Sequence, residues 1–324
     1  MLNSNELFKM INHQLSTVAV GRQPVGLYEP IQYVLSLGGK RIRPMLMMLA
    51  YNMYREDPQH IINPACGIEI YHNYTLLHDD LMDNADIRRG HMTVHKRWNP
   101  NTAILSGDSM LVLAYEYMTK CEEDKLAEIM ALFTKTALEI GEGQQLDMDF
   151  ESRNDVSEEE YIEMIRLKTS VLLACAMKLG AILADAPQED ADNLYKFGEK
   201  VGLAFQLQDD YLDVYGDTKV FGKAIGGDIV SNKKTYMLIN ALALADSKQK
   251  ECLMDWINQL NPDPQEKVAA ITELYNEIGV NQLALQKIND YFLESRKYID
   301  AVNLPEERKT EVIAYTEEMM RREY

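Results

Sequence analysis

The sequence predicts an all-α protein of ten or more helices, and three observations lead there. Apolar residues recur at spacings of three and four, as in Ile129, Leu132, Phe133, Thr136 and Ile140, and again in Tyr161, Met164, Ile165, Lys168 and Leu172. Alternating strand patterns are hard to find. Helix breakers are scarce: the 324 residues include 17 glycines and 10 prolines, with no proline between Pro100 and Pro187. In chain order, Gly38-Gly39 closes one helix and Pro44 opens the next. After a break around Arg55–Pro58, Asn63-Pro64 reads as an N-cap followed by proline at the first helical position. Arg89-Gly90, Asn99-Pro100 and Ser152–Asp155 interrupt the pattern, and Ser157-Glu158-Glu159-Glu160 is a capping box opening another helix. Further breaks fall at Ala186-Pro187, Gly216–Gly227 and Asn261–Pro264. With no linker, repeat or low-complexity run, residues 1–324 read as a single all-α domain.

With 33 Lys and Arg against 51 Asp and Glu, the formal charge is −18. No nucleic-acid partner is expected, because affinity for a phosphate backbone rests on basic surface, and this field repels DNA, RNA and anionic headgroups. Any phosphate ligand therefore needs local basic residues or metal. Cys66, Cys121, Cys175 and Cys252 are far apart, and with no clustered histidine they suggest neither disulfides nor a zinc site. A reducing cytoplasm suits them. The opening MLNSNELFKMINHQL has no basic stretch leading into an apolar one, and the longer apolar runs are broken, for example by Lys178, so no export signal or membrane span is expected.

Two segments carry the chemistry. LLHDDLMDNADIRRG contains Asp79, Asp80 and Asp83, and FQLQDDYLDVYGD contains Asp209, Asp210 and Asp213. Both read Asp-Asp-x-x-Asp, which on a helix puts the first and last carboxylates on one face, about 6 Å apart along the axis. Leu76 and Leu77 before the first motif, and Leu203, Phe205 and Leu207 before the second, predict mostly buried helices. A buried acidic cluster is costly unless a cation neutralises it. Oxygen donors without His or Cys select a hard ion such as Mg²⁺, which completes its shell with water and substrate phosphate. One such motif alone reads more readily as a solvated acidic turn, but two, each within an apolar helix, favour metal.

Cations lie where a phosphate would want them. Arg88 and Arg89 follow the first motif, and Lys40, Arg41 and Arg43 occupy GGKRIRP at a predicted helix N-terminus, where unpaired N–H groups and the dipole favour an anion. Lys168 continues the stripe of Tyr161, Ile165 and Leu172, so its ammonium is directed to the apolar side, next to Thr169; a snorkelling lysine is the alternative. Gln206 precedes Asp209 by three residues and Asp210 by four and shares their face. GKAIGGDIVSNKK adds Lys223, Lys233 and Lys234 in a glycine-rich stretch, by itself a weak phosphate signal.

Taken in order and spacing, GGKRIRP, HDDLMDNADIRRG, Lys168-Thr169, FQLQDDYLD and GKAIGGDI resemble the trans-isoprenyl diphosphate synthases, the polyprenyl synthetase family of short-chain prenyltransferases. The resemblance runs from about Gly38 to Lys234; the last ninety residues are helical in pattern without an assignable motif. It implies a helical bundle with a central cavity, a homodimer, and condensation of isopentenyl diphosphate with an allylic diphosphate, dependent on Mg²⁺, three ions per site. It implies Asp79, Asp83 and Asp209 as metal ligands with Asp80 and Asp213 supporting, and Arg88, Lys168, Thr169, Gln206, Lys223 and Lys233 around the allylic diphosphate. Lys40, Arg43, His72 and Arg89 would hold isopentenyl diphosphate, His72 lying two helical turns before Asp79 on the same face. The loop is one residue longer than in some members, leaving Lys233 and Lys234 as alternatives. Pyrophosphate is the expected base.

The growing tail should run from Asp79 towards Asn63, meeting Thr75 and Tyr74 about 6–8 Å down the helix. Tyr74 then reads as a floor with Thr75 beside it, which in this family resembles C20 producers, with C15 also formed. Ordinary core packing of Tyr74 is the alternative. Among other classes, a terpene cyclase would use the same aspartate-rich metal site without a second diphosphate site, against which Lys40 and Arg43 count. A di-iron bundle needs two Glu-x-x-His motifs, and only Glu69–His72 fits. A phosphohydrolase would need partner histidines for His78 and Asp79, and a silent subunit would have lost a motif.

Overall fold

A computed structural model of the chain describes residues 2–216 and 225–321. Among them regular structure is almost wholly helical, as the periodicity predicts. The helices are α1 (Ser4–Leu15), α2 (Val25–Ser36), α3 (Ile42–Tyr54), α4 (Ile62–Met82), α5 (Val94–Arg97), α6 (Pro100–Met118), α7 (Leu126–Glu151), α8 (Glu158–Ile165) and α9 (Val171–Leu183). They continue as α10 (Gln188–Tyr215), α11 (Gly227–Val230), α12 (Tyr236–Leu244), α13 (Ser247–Asn258), α14 (Pro264–Ile278), α15 (Val280–Ala301) and α16 (Glu306–Met320). A short antiparallel hairpin, β1 (Ile87–Arg88) and β2 (His91–Met92), interrupts them.

The chain forms two compact units whose boundaries fall within helices. The first gathers residues up to Lys135 with Cys175–Tyr195 and Ala301–Tyr315. At its centre α3 is buried from Pro44 to Met53, as expected of a helix apolar on every side. A Cβ at Gly180 of α9 would fall 2.2 Å from the Met47 carbonyl, so glycine is what lets these two backbones meet. Gly67 does the same between α4 and α6, its absent Cβ standing 3.0 Å from the Ala114 carbonyl. The expected N-cap at Asn63 is displaced: a 3₁₀ turn, Pro58–Ile61, feeds α4, and Ile61 is the N-cap. Pro64 instead lies in the first turn, where a missing N–H leaves no bond unmade.

The second unit comprises Thr136–Ala174, Lys196–Asp300 and Thr316 onward. Its core holds Phe150, Tyr161, Ile165, Leu203, Leu207, Tyr211, Tyr236 and Tyr275. Here the capping box is as read: the Ser157 hydroxyl accepts from Glu160 N, and the Glu160 carboxylate accepts from Ser157 N. Between α8 and α9 the chain makes one π turn, Arg166–Ser170, which the 3.6-residue stripe through Lys168 did not reveal.

Candidate active site

Both aspartate motifs stand at helix C-termini. Asp79 lies in the last turn of α4 and Asp83 is its C-cap, while Asp209 and Asp213 lie in the last two turns of α10. Carboxylates there oppose the helix dipole, so their charge must be met from outside the helix. In the first unit Arg88 meets part of it: its Nε donates to Asp80 Oδ1 at 2.8 Å, and its Nη2 stands 3.8 Å from Asp79 Oδ2. Asp80 is buried, and that burial raises its carboxyl above the usual range against the pull of Arg88.

The hairpin explains how the neighbouring arginines are presented. Arg89 and Gly90 have φ of 53° and 77°, the left-handed pair of a type I′ turn, so Arg88 leaves from a strand and Arg89 from the turn, neither from a helix. Arg89 Nη1 donates to the Gly38 carbonyl and its guanidinium packs over Gly39, whose φ of 127° requires glycine. Arg43 Nη1 lies 3.0 Å from His72 Nε2. Burial, then Arg43, Arg89 and Arg88, hold the imidazole well below its ordinary pKa, so it is neutral and accepts from Arg43. Burial, with Arg41 and Arg88, lowers Arg89 as well. Arginines close enough to hold His72 neutral and to lower Arg89, in a chain of charge −18, mark a place for an anion. A cavity of about 20 Å³, lined by Asn73, Asp80, Arg88 and Arg89 among others, lies here.

Of the three cations in GGKRIRP, Arg43 joins this cluster. Lys40 is exposed just before α3, and Arg43 is in its first turn. Arg41 instead turns into the protein, its φ of 50° making it the N-cap of α3. Its guanidinium pairs with Glu69 at 2.8 Å, both side chains 2% exposed, and donates to the Leu35 carbonyl at 2.6 Å. Further along α4, the half-buried Tyr74 ring packs 5.5 Å from Tyr71 and 4.9 Å from His78. The Thr75 hydroxyl donates to the His72 carbonyl.

The second unit brings together four predicted residues. Lys168 Nζ, in the π turn, is 2.6 Å from Asp147 Oδ2 on α7. Thr169 Oγ1 donates to Gln206 Oε1 at 3.1 Å, and Gln206 Nε2 donates to Asp210 Oδ1 at 3.2 Å. Asp210 is buried and also accepts from the Tyr161 hydroxyl and Tyr236 N. Burial, with Asp228 nearby, raises its carboxyl to about 7 despite these donors. Asp209 remains half-buried on the adjacent face. Asp213 Oδ2 accepts from Asp228 N at 3.0 Å, fixing the start of α11. Lys233 is exposed and near enough to Asp210 to act on its charge, whereas Lys234 is buried and donates to the Asn232 carbonyl. Lys223 lies outside the described residues.

Comparison with known proteins bears on what this arrangement is. The polyprenyl synthetase family profile matches residues 24–277. The chain is 38% identical to a short chain isoprenyl diphosphate synthase of Methanocaldococcus jannaschii, over 84% of this chain and 82% of that one. It is 37% identical to a geranylgeranyl diphosphate synthase of Methanosarcina mazei, over 93% and 91%. A crystal structure of a geranylgeranyl pyrophosphate synthase superposes with a TM-score of 0.94 at 40% identity, covering 100% of both chains. The chain belongs to the polyprenyl synthetase family. As a polyprenyl synthetase it is a short-chain trans-prenyltransferase with the all-α isoprenoid synthase fold.

Polyprenyl synthetases depend on Mg²⁺, and the donors here fit it. Among the described residues no three Asp, Glu, His or Cys side chains converge closely enough to hold an ion unaided. Few carboxylates, with no nitrogen or sulfur donor among them, suit an ion that keeps waters and takes phosphate oxygens. Sequence reasoning missed Asp147, Tyr161 and Asp228. Asp147 carried a weak signal, an acid in the otherwise amphipathic GEGQQLDMDF, but its partner is 21 residues away. Among the described residues no helix is long and apolar enough to cross a membrane.

Proposed function

We propose that this polyprenyl synthetase condenses isopentenyl diphosphate with dimethylallyl, geranyl and farnesyl diphosphates, giving geranylgeranyl diphosphate with some farnesyl diphosphate and releasing pyrophosphate. One observation carries the reading: each unit independently sets an Asp-Asp-x-x-Asp motif at a helix C-terminus with cations close by. Asp79, Asp83 and Asp209 would hold Mg²⁺, three ions per site, with Asp80 and Asp213 supporting. Bound metal neutralises charge on the departing pyrophosphate. Arg88, Lys168, Lys223 and Lys233 hold that pyrophosphate. The Gln206 amide and Thr169 hydroxyl, fixed through Asp210, present dipoles to the allylic cation and keep water from it. Lys40, Arg43, His72 and Arg89 orient isopentenyl diphosphate, whose double bond attacks, and the released pyrophosphate removes the proton.

The two units act as one catalytic domain, in the cytoplasm, and the protein works as a homodimer. Ile104, Leu105 and Val112, 45%, 59% and 68% exposed on α6, support the dimer, since such side chains in a row favour a protein partner. Light scattering on purified protein tests it. The activity is tested with labelled isopentenyl diphosphate, each primer in turn, Mg²⁺ and an EDTA control. A metal-dependent ladder ending at C20 or C15 is expected. Turnover of farnesyl or geranylgeranyl diphosphate without isopentenyl diphosphate would favour a terpene cyclase instead.

A further inference from the structure

The last ninety residues, silent as sequence, hold a buried lysine in a costly position. Lys267 is 1% exposed in the first turn of α14, where the dipole disfavours a cation. Burial and the neighbouring ammonium of Lys234 both lower its pKa. Its hydrogen bonds go to the Val230 carbonyl at 3.1 Å and to Asn232 Oδ1 at 2.6 Å. Asn232, at φ 56°, is the hub: its Nδ2 donates to the Ile257 carbonyl at 3.1 Å, and its own carbonyl accepts from Lys234 Nζ at 3.2 Å. The next residue of α14, Val268, packs against Gly226, where a Cβ would fall 2.5 Å from its Cγ2. The two residues therefore buttress both ends of the segment Gly226–Asn232. The exposed Lys233 follows with its backbone tied on either side, its N donating to the Asp228 carbonyl and its carbonyl accepting from Thr235 N, both at 2.9 Å.

We propose that Lys267, Asn232 and Lys234 form a clamp that positions Lys233 for the allylic diphosphate. The inference rests on the assignment of Lys233 made above and adds the residues that aim it. Lys267 is a positioning residue: it acts through the loop and touches no substrate. Removing it frees Lys233 to sample other directions, so affinity for the allylic diphosphate falls while that for isopentenyl diphosphate does not.

The test is steady-state kinetics of Lys267→Met, Asn232→Gly, Lys233→Ala and the Lys233→Ala/Lys267→Met pair. Asn232→Gly suits the left-handed backbone while deleting both side-chain bonds, so it answers even where a buried methionine disturbs folding. Each clamp variant should raise KM for the allylic diphosphate about tenfold, equivalent to ~1.4 kcal/mol, leaving KM for isopentenyl diphosphate unchanged. Lys267→Met should add nothing once Lys233 is alanine, a coupling that a merely structural lysine would not show. Allylic KM raised by Lys233→Ala but unmoved by both clamp variants overturns the clamp alone. An undiminished effect of Lys267→Met in the Lys233→Ala background also overturns it. No effect of Lys233→Ala removes the assignment of Lys233 and with it the clamp's purpose.

Discussion

Gly143 of α7 decides where Lys168 and Thr169 sit, and a paired substitution measures it. A Cβ at Gly143 would lie 2.4 Å from Lys168 N and 2.8 Å from Leu167 C and Lys168 Cα, all backbone atoms with no flexible end to swing aside. Restoring ordinary contact requires the π turn and α7 to part by about 1 Å. Overpacking of that kind costs ~2 kcal/mol, while alanine in a helix interior returns ~1 kcal/mol relative to glycine. The net loss for Gly143→Ala is then ~1 kcal/mol, which at ~2.1 cal/mol/K per residue lowers Tm by only ~1–2 °C if the protein melts in one transition. Activity should suffer far more, because a ~1 Å displacement of substrate-positioning groups costs on the order of 10²-fold. Gly141, one half-turn earlier, has nothing within 4 Å of its absent Cβ. Gly141→Ala should therefore raise Tm by ~1–2 °C through helix propensity and leave activity intact. Calorimetry and kcat/KM for the allylic diphosphate on the two variants give the answer. If Gly143→Ala turns over within twofold of Gly141→Ala, the close approach does not position the π turn and the reasoning fails.

Other perturbations test the remaining parts. Arg41→Met strands Glu69 in the interior and should cost ~3–5 kcal/mol in urea unfolding, whereas Arg41→Met with Glu69→Leu should recover most of that loss. His72 is held neutral in the folded state while the unfolded chain protonates near 6.5, so the unfolded state binds more protons below that pH. Stability should therefore fall with acid from about pH 6.5 downward, and His72→Gln, which keeps an acceptor for Arg43, should flatten that slope in pH-dependent melts. Tyr74→Ala should lengthen the product beyond C20, read by chromatography of the dephosphorylated alcohols; unchanged length would make Tyr74 core packing only.

Helix periodicity made the fold class and most helix boundaries legible, because amphipathic stripes, capping boxes and the Asn99-Pro100 start are local signals. The hairpin was not legible, since two-residue strands leave no alternation to detect, and Arg89-Gly90 read only as a break. The π turn escaped for the opposite reason: the apolar stripe continues through it, and one extra residue in a turn does not change the composition. Asp147 and Lys267 act through partners 21 and 35 or more residues away, so nothing local announces them.

The doubled motifs share one pattern. Motifs that pair like residues, Asp79-Asp80, Asp209-Asp210, Lys233-Lys234 and the Lys40-Arg41 pair, name two candidates for each role. Each pair divides in the same way: one member is left accessible, and the other is buried against a specific partner. Asp80 goes to Arg88, Asp210 to Tyr161, Lys234 to the Asn232 carbonyl and Arg41 to Glu69. In the two aspartate pairs, which are on helices, successive residues diverge by about 100°, so both charges cannot face one ligand; in the two cationic pairs the left-handed backbone at Arg41 and the tied loop at Lys233 do the dividing. The second copy is then available to anchor the first. A buried charge is tolerated only where its partner is fixed, which makes the inward member the more rigid of the two. Substituting the outward residues should thus alter KM and kcat with little change in Tm, while substituting the inward ones should lower Tm and catalysis together. On the roles proposed above, the doubling in these motifs is a division between ligand and support.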